Sequence, residues 1–324
     1  FRVVCALFGY WAVCVLCLFT RWSMSHRYGI VAGMPKTILT HDGGFHADDV
    51  FAVATLLLLD ADAAIVRTRE KDRIAKADIV VDVGDVYDEA QNRFDHHQTC
   101  GAGLRKDTVP YAAFGLVWKK FGETLCGDSE IAFRVEETLV VPVDANDNGV
   151  SLALPTTQSL FPYEISDAIH AFVPTWREEG ASYDSSFSEA VSFAKKLLLR
   201  EIKRAEAVVY GGRAVEEIYR STLDKRLVVL PDDYSWKNTL AHFPEPFFCV
   251  HPKNGGWRLS AVRDNPRLFV NRKDLPKKWA GLRDAELTRI TGVPDAVFCH
   301  RNRFMAAARS KEGALALAKL ALSL

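Results

Sequence analysis

From about residue 36 onward, the chain alternates short continuous apolar runs with longer stretches that have apolar residues at helical spacing. Three of the short runs predict buried strands, at residues 37–41, 64–68 and 77–83. A Gly-rich turn separates the first strand from an apolar stretch at 50–59, which predicts a helix. Because unalternating apolar strands between helices are typical of a parallel sheet covered on both faces, this part of the chain predicts an α/β fold.

The remainder of the chain predicts a second unit that is also built from strands and helices. Helical spacing occurs at 111–121, 129–141, 191–210 and 312–322. Further strands are predicted at 226–230, 247–251, 257–262 and 296–300. Residues 154–176, rich in Pro, Thr and Ser, predict irregular structure. We therefore expect a first domain at 34–185 and a smaller second domain at 186–324, which begins with a linker helix.

The first 33 residues differ from the rest of the chain. Residues 3–20 carry no charge, and that length is at the lower limit for a membrane span. Three interpretations fit this segment: a membrane anchor, an organelle presequence, or an extension upstream of a start at Met34. Contact with a membrane is expected only if the segment belongs to the working protein, so residues 1–33 take no part in the fold prediction.

Composition excludes several classes of protein. The 324 residues are 48% hydrophobic and 25% charged, which argues against a disordered, collagen-like or disulfide-framework chain. The seven cysteines form no paired CxxC motifs outside the apolar start, which argues against a zinc ribbon and favours a reducing compartment. The net charge is zero, yet residues 41–100 carry 13 acidic and 6 basic side chains, and residues 251–324 carry 15 basic and 6 acidic ones. This arrangement suits a metal-rich acidic wall that faces a basic clamp for phosphates.

Four clusters of acidic and imidazole side chains stand out, and each is expected where a strand ends. They are His41–Asp49, Asp82–Asp85, Asp95–Gln98 and Asp144–Gly149. Ligands of open parallel sheets bind outside the carboxyl ends of the strands, and this donor set suits Mn²⁺ or Mg²⁺. Simpler readings apply to single residues: Asp48 as a helix N-cap, Asp85 and Asp88 as turn residues, and Asn148-Gly149 as a turn.

The motifs THDGGFHADDV, DVGDVYD, RFDHHQ and DANDNG resemble those of the Myg (melanocyte-proliferating-gene) family of the DHH phosphoesterase superfamily. The text from FVNRKDLPKKW to the final helix resembles the end of the same family. The resemblance implies a parallel-sheet DHH-type phosphoesterase domain, a smaller α/β C-terminal (DHHA1-like) domain and a cleft between them. It also implies a metal-dependent 3′→5′ RNA exonuclease, working in mitochondrion or nucleus; cytoplasm is also compatible.

The resemblance assigns roles to individual residues. It implies two divalent metals with the ligands His41, His46, Asp48, Asp82, Asp95, His96 and a member of the fourth motif, where Asp144 is the first choice and Asp147 the second. His46 stands where many relatives have Asp, which favours Mn²⁺ over Mg²⁺ because imidazole suits the softer ion. A hydroxide held by Asp48, Asp82 and Asp95 is expected to attack phosphorus, and His97 to face the phosphate.

The second domain is expected to bind an RNA or short-oligonucleotide substrate. The candidate contacts are Arg263, Arg272, Arg303, Arg309 and Lys311. A Gly-Gly-His motif is common before the last helix in such domains, but this chain has Ala306-Ala307-Ala308-Arg309 there. We therefore expect Arg309 or Lys311 to replace the missing imidazole at the phosphate.

Two other functions remain open at the level of sequence. One is hydrolysis of small substrates such as dinucleotides or pyrophosphate. The other is a non-catalytic nucleic-acid or protein-binding role in which the metals only stabilise the fold. No stable protein partner is implied, and the oligomeric state stays open.

Overall fold

The computed structural model describes residues 36–106, 108–153 and 160–324, which form two five-stranded sheets connected by a long helix. The predictions for residues 1–33, and part of the stretch predicted to be irregular at 154–176, lie outside these ranges. Among the helices of the described ranges, none has both the length and the apolar character that crossing a bilayer requires.

The elements up to the long helix are β1 (Thr37–Thr40), α1 (Ala47–Leu59), β2 (Ala64–Arg67), α2 (Lys71–Lys76), β3 (Ile79–Val81), β4 (Tyr87–Asp88), β5 (Arg93–Phe94), α3 (Ala113–Cys126), α4 (Ser129–Val135), a π-helical segment (Glu136–Val140), α5 (Val141–Asp147), α6 (Ile165–His170) and α7 (Tyr183–Ser221). The elements that follow are β6 (Leu227–Val229), α8 (Trp236–Ala241), β7 (Phe248–Lys253), β8 (Gly256–Ala261), a 3₁₀ turn (Lys277–Trp279), α9 (Asp284–Thr291), β9 (Ala296–Cys299), β10 (Met305–Ala308) and α10 (Lys311–Ser323).

The first sheet has the order β2-β1-β3-β5-β4, and every pair is parallel except β4 with β5. Successive residues of β1 enter different cores. Ile38 packs into the large core that includes α1, α3 and α7, whereas Leu39 packs on the opposite face with Val80 and Ile74. Burial on both faces explains the continuous apolar runs, and it confirms the predicted parallel, doubly covered sheet.

The second sheet has the order β6-β7-β8-β10-β9, and only β6 with β7 is parallel. Alternate strand residues face α10 on one side, where Phe248, Leu259 and Leu317 share a core. The other side is covered in part by the end of α7 and by α8, through Tyr219 and Trp236. The α/β prediction is confirmed, but this second sheet is mainly antiparallel.

The long helix α7 connects the two sheets. It begins after Ser182, whose hydroxyl accepts a hydrogen bond from the Ser185 amide, and it continues for 39 residues. Buried residues from Phe187 to Val209 pack on the first core, and Val215 and Tyr219 pack on the second sheet. The helix is longer than the predicted 191–210. The domain boundary expected at residue 185 stays a prediction.

Several short elements were missed by the sequence prediction, among them α2, α6, α8, α9, β4, β5 and β10. Each is too short to show a clear apolar period. The irregular structure predicted at 154–176 is wrong at Ile165–His170, which forms a helix.

Candidate metal centre

The carboxyl ends of three adjacent parallel strands bring the predicted clusters together. The residue His41 follows β1, Asp82 follows β3, and the triplet Asp95-His96-His97 follows β5. The first turn of α1 and the last turn of α5 complete the site with Asp48 and Asp147. As predicted from the strand ends, residues far apart in sequence meet at one edge of the sheet.

Three overlapping groups of side chains have ligand atoms within 4.8 Å of one another. They are His41–His46–Asp82, Asp82–His96–His97 and His46–Asp48–Asp147. The carboxylate of Asp82 belongs to two of them: its Oδ2 lies 3.3 Å from His41 Nε2, and its Oδ1 lies 3.4 Å from His96 Nε2. The backbone of Asp82 is left-handed, with φ of 55°, and this conformation occurs at the point where the carboxylate joins the cluster.

The site contains buried polar atoms that lack a hydrogen-bond partner. The buried atoms without a hydrogen-bond partner include both carboxylate oxygens of Asp48, which is fully buried. They also include Oδ1 of Asp82 and Nε2 of His96. An uncompensated buried carboxylate is destabilising by several kcal/mol, and a divalent cation removes that cost. The mixture of imidazole and carboxylate donors also suits a first-row divalent ion. The residues present therefore fit a metal site.

Burial and neighbouring charges shift the protonation of these ligands. Burial raises the pKa of Asp48 well above its usual range, and the carboxylates of Asp82 and Asp147 raise it further. Burial also acts to lower the pKa of His96, but its contacts with Asp147 and Asp82 outweigh this and raise it to about 10. Burial tends to raise the pKa of Asp82, yet His41 and His96 bring it down to about 2. A metal ion must therefore displace protons from the site when it binds.

The neighbouring acidic residues Asp48 and Asp49, in the first turn of α1, have different surroundings. The N-cap of α1 is His46, so the simple reading of Asp48 as the cap is wrong. Asp49, to which no role was assigned, is fully buried: its Oδ1 accepts a hydrogen bond from the His46 amide, and its Oδ2 lies 3.3 Å from His41 Nε2. Asp49 therefore positions two candidate ligands. The signal in the sequence that could have identified Asp49 is that it directly follows Asp48 in the first turn of the helix.

In the fourth motif, the strand end expected at Asp144 is wrong, because this residue lies in the helix α5; the surroundings of Asp144 favour the second choice, Asp147, as the ligand. The Asp144 carboxylate is fully buried, pairs with Arg105 Nη2 at 2.8 Å and accepts a hydrogen bond from the Gly115 amide. Asp147 lies one turn later, and its Oδ2 is 3.2 Å from His96 Nε2. The structure therefore places Asp147 in the cluster. The Asn148-Gly149 turn is confirmed, since Gly149 has a left-handed φ of 68°.

The three residues of the triplet Asp95-His96-His97 have different contacts. Asp95 is in none of the three groups, because its Oδ2 accepts a hydrogen bond from the Asp85 amide and its Oδ1 contacts His97 Nδ1 at 2.7 Å. These contacts hold the Asp95 carboxylate at the wall of the metal-centre cavity, and its expected role as a metal ligand stays a prediction. The turns predicted at Asp85 and Asp88 are confirmed, since Asp85 has a left-handed φ and the Asp88 carboxylate accepts hydrogen bonds from two following amides.

A cavity of about 520 Å³ opens onto the centre. His97 lines it with 56% of its side chain exposed, in contrast to the buried His41 and nearly buried His96. Arg69 also lines this cavity, and its Nε lies 3.7 Å from the Asp42 carboxylate. The sequence analysis did not single out Arg69; its position just after β2, the neighbour of β1, is the signal that could have identified it.

A second arginine that the sequence analysis did not single out contacts the loop between β1 and α1. Arg67 donates to the Gly43 carbonyl and to Asp184 at the start of α7, and its guanidinium lies over the Phe187 ring. Arg67 therefore ties the loop after β1 to the long helix.

The five basic residues predicted to bind substrate have different environments. Arg272 is unsuited to that role, because its buried guanidinium binds Asp264 and the carbonyls of Ala241, Phe243 and Pro246. None of the five is among the described residues that line the metal-centre cavity. The other four are placed as follows: Arg303 pairs with Asp274, Arg309 is exposed, Lys311 lies over Trp257, and Arg263 lines a different cavity.

Comparison with known proteins shows similarity over most of the chain. A model of MYG1 proteins, described as an uncharacterised protein family (UPF0160), matches residues 37–322. The chain is 31% identical to the MYG1 exonuclease of Homo sapiens, over 89% of this chain and 86% of that protein. It is 32% identical to a MYG1 protein of Saccharomyces cerevisiae, over 92% of this chain and 98% of that one.

Proposed function

The chain belongs to the MYG1 family, and from this premise we propose that it is a metal-dependent 3′→5′ exonuclease acting on RNA. One observation carries the proposal: the buried carboxylates of Asp48 and Asp82 converge with His41, His46, His96 and Asp147 without compensating hydrogen bonds for Asp48. The printed name of the human relative, an exonuclease, supports the same reaction class.

The three ligand groups overlap at Asp82 and at His46, and we propose to divide their members into two sets that share Asp82. We assign His41, His46 and Asp82 to one divalent ion, and Asp48, Asp82, His96 and Asp147 to the other. Two bound divalent ions, with Mn²⁺ favoured, supply Lewis acidity and a lowered pKa for an attacking water in phosphodiester hydrolysis. Asp49 orients the first set through its contacts with the His46 amide and the His41 ring.

We assign His97 to the phosphate rather than to a metal. Its side chain is the most exposed of the three histidines at strand ends, and Asp95 engages its Nδ1. This contact leaves Nε2 to donate a proton to the leaving oxygen. Arg69, on the wall of the same cavity, is placed to neutralise a second phosphate of the chain.

The test is hydrolysis by the full chain with Mn²⁺, offered 5′-labelled single-stranded RNA, single-stranded DNA, a dinucleotide and pyrophosphate in parallel. We expect a ladder of one-nucleotide steps on RNA, abolished by EDTA and by Asp82→Asn. Asp62→Asn, which changes an exposed carboxylate near the far end of α1, is the matched control and should keep wild-type activity.

Hydrolysis of only the dinucleotide or pyrophosphate would replace this proposal with a small-substrate phosphohydrolase. Bound metal and bound RNA without any hydrolysis would replace it with a non-catalytic role. Rapid release of the label as a mononucleotide from 5′-labelled RNA would reverse the polarity.

A further inference from the structure

The second sheet leaves part of one face open, and a cavity of about 790 Å³ lies against it. The floor contains strand residues on the side opposite α10, namely His251, Arg258 and Ser260. Arg134 of α4 and Val208 of α7 form the facing wall. We call this space the open-face cavity. It is separate from the cavity at the metal centre, with which it shares no lining residue among those described.

The open-face cavity is strongly basic. Its described lining includes the cationic side chains Arg134, Lys237, Lys253, Arg258 and Arg263. Asp233 is the only carboxylate in that lining, and it is paired with Lys253. The remaining cations create a positive potential over a surface wider than a single phosphate. Such a surface attracts a polyanion without regard to its sequence.

Aromatic rings are interleaved with these cations. The Arg263 guanidinium lies 4.8 Å from the centre of the Phe269 ring and 5.5 Å from that of Phe304. Phe269 is 83% exposed, and its neighbours Leu268 and Val270 are exposed as well, so they form a contiguous apolar surface of the kind that marks a binding site. Tyr234 and Trp236 add two more rings to the lining. Rings beside phosphate-binding cations are the arrangement by which proteins hold single-stranded nucleic acid.

The cavity lies well away from the metal centre. On α7, Phe187 packs against Phe45 in the loop between β1 and α1, which carries candidate ligands. Val208 lies 21 residues further along the same helix, a distance of about 31 Å. Arg134 precedes the candidate ligand Asp147 by 13 residues of continuous helix, or about 20 Å. A stacked strand covers 20–30 Å with about six to nine nucleotides, at ~3.4 Å each.

A groove extends from the open-face cavity in the direction of the metal centre. It shares Arg134 and Val208 with that cavity and continues between α5 and α7 to Pro142 and Ile165. Beside Ile165, Glu164 accepts a hydrogen bond from Asn146, the neighbour of Asp147. The groove therefore covers part of the distance from the open-face cavity to the metal centre, and it shares no lining residue with the metal-centre cavity among those described.

We propose that the open-face cavity is a distal binding site for single-stranded RNA, which holds the chain about six to nine nucleotides upstream of the end that lies at the metals. This inference rests on the proposed exonuclease function and adds a second contact with the same substrate. Because the distal contact requires a minimum length, long RNA is held at both sites and short RNA only at the metal centre. The enzyme therefore binds RNA more weakly once the chain has been shortened below that length.

The test compares a 20-nucleotide RNA with a tetranucleotide, bound to the full chain in EDTA so that no hydrolysis occurs. The variant Lys237→Ala/Arg258→Ala should weaken binding of the 20-mer at least tenfold and leave that of the tetranucleotide unchanged. When the logarithm of the binding constant of this variant for the 20-mer is plotted against the logarithm of the salt concentration, the slope should be less steep than that of wild type by about 0.7 for each phosphate contact removed. The matched control is Lys319→Ala, on α10 at the opposite face of the sheet, which should bind like wild type.

A second variant tests the aromatic contribution without touching charge. Phe269→Ala removes an exposed ring, so the fold should persist, and affinity for the 20-mer should fall about 5- to 100-fold with the salt slope unchanged. In Mn²⁺, both cavity variants should raise KM for the 20-mer and keep kcat.

The outcomes separate the two proposals. Equal losses for both lengths, or none for either, would overturn the distal site even if RNA is degraded normally. A wild-type protein that degrades no RNA would overturn the exonuclease, while the length-dependent loss of binding would still support the cavity as an RNA site. Competition by a mononucleotide as strong as by the 20-mer would assign the cavity to a small anion instead.

Discussion

The neighbourhood of single acidic residues decides which of them can hold a metal. Asp144 and Asp147 are three positions apart on α5, yet one forms a buried ion pair with Arg105 and the other lies beside His96. Both carry the same carboxylate. The two carboxylates have different neighbours: Asp144 contacts the cation of Arg105, whereas Asp147 lies among the candidate metal ligands.

Exchange of these two residues for Asn should therefore produce opposite results. Asp147→Asn should lower Mn²⁺ affinity at least tenfold, because it removes a candidate ligand, while the metal-free protein should lose only the stability that comes from the contact between Asp147 and His96. Asp144→Asn should destabilise the fold by about 3 kcal/mol, because the buried Arg105 loses one of its two carboxylate partners. Calorimetric titration with Mn²⁺ and denaturant unfolding in EDTA measure the two effects.

The two variants serve as controls for each other. Strong loss of Mn²⁺ affinity in folded Asp144→Asn, with normal affinity in Asp147→Asn, would restore Asp144 as the ligand and reverse our assignment.

Packing between elements decides whether the ligands meet at all. The strands β1, β3 and β5 bring their carboxyl ends together, and α5 is held at the same edge by its packing against α1 and α3. At this contact the Gly115 amide of α3 donates to Asp144, and a Cβ at Gly115 would lie 1.8 Å from Asp144 Oδ2. The absence of a side chain at Gly115 therefore allows α5 to place Asp147 in the metal centre.

A methyl group at this contact should affect both stability and metal binding. Gly115→Ala should destabilise the protein by about 2–3 kcal/mol through overpacking, and it should weaken Mn²⁺ binding because α5 must shift. Gly211→Ala on α7 is the control: its Cβ would make only an ordinary contact at 3.4 Å, so stability should be unchanged or rise by up to about 1 kcal/mol. A fully stable Gly115→Ala protein with normal metal affinity would contradict the close packing.

The distribution of charge and protons couples the metal centre to the stability of the whole molecule. The chain as a whole has zero net charge, and this total conceals two strong local fields, an acidic site at the first sheet and a basic cavity at the second. Without metal, the acidic site holds protons. Its contribution to folding therefore depends on pH and on bound metal together.

We predict that stabilisation by Mn²⁺ increases from pH 6 to pH 8.5. Burial raises the pKa of Asp49 to about 7, above the ~3.9 of an unfolded Asp, so in metal-free protein its contribution is lost as pH rises through 7. His96, with a pKa raised to about 10 by Asp147 and Asp82 against burial, contributes below ~6.5 and loses this contribution as pH rises through 10. Metal-free protein thus weakens with pH, whereas Mn²⁺ gains deprotonated ligands.

The measurement is the thermal midpoint with excess Mn²⁺ and with EDTA across that pH range. The EDTA series is the control for pH effects elsewhere in the chain. A gap between the two curves that narrows as pH rises would contradict the assignment of these groups to the metal centre.

Three of the five strands of the first sheet, and several candidate ligands that follow them, could be predicted from the amino-acid sequence. Buried parallel strands need apolar residues on both faces, so β1, β2 and β3 are visible as continuous runs, and polar residues directly after them must lie at the sheet edge. His41 and Asp82 could be predicted in this way, because strand direction fixes where they are, whereas His96 follows the unpredicted β5 and was found through the resemblance of its motif. The opposite charges of the two halves are also a property of sequence alone.

The neighbours that the fold brings to each side chain distinguish its role from that of chemically similar residues. Asp144 pairs with the buried Arg105, and the Arg272 guanidinium donates to backbone carbonyls, so protein groups compensate the charge of each. Asp147 and Asp48 have the same chemistry, but they face other acids and imidazoles. A side chain can bind a ligand only when the fold leaves its charge uncompensated, and that depends on neighbours distant in sequence, such as Arg105 for Asp144 and Asp147 for His96.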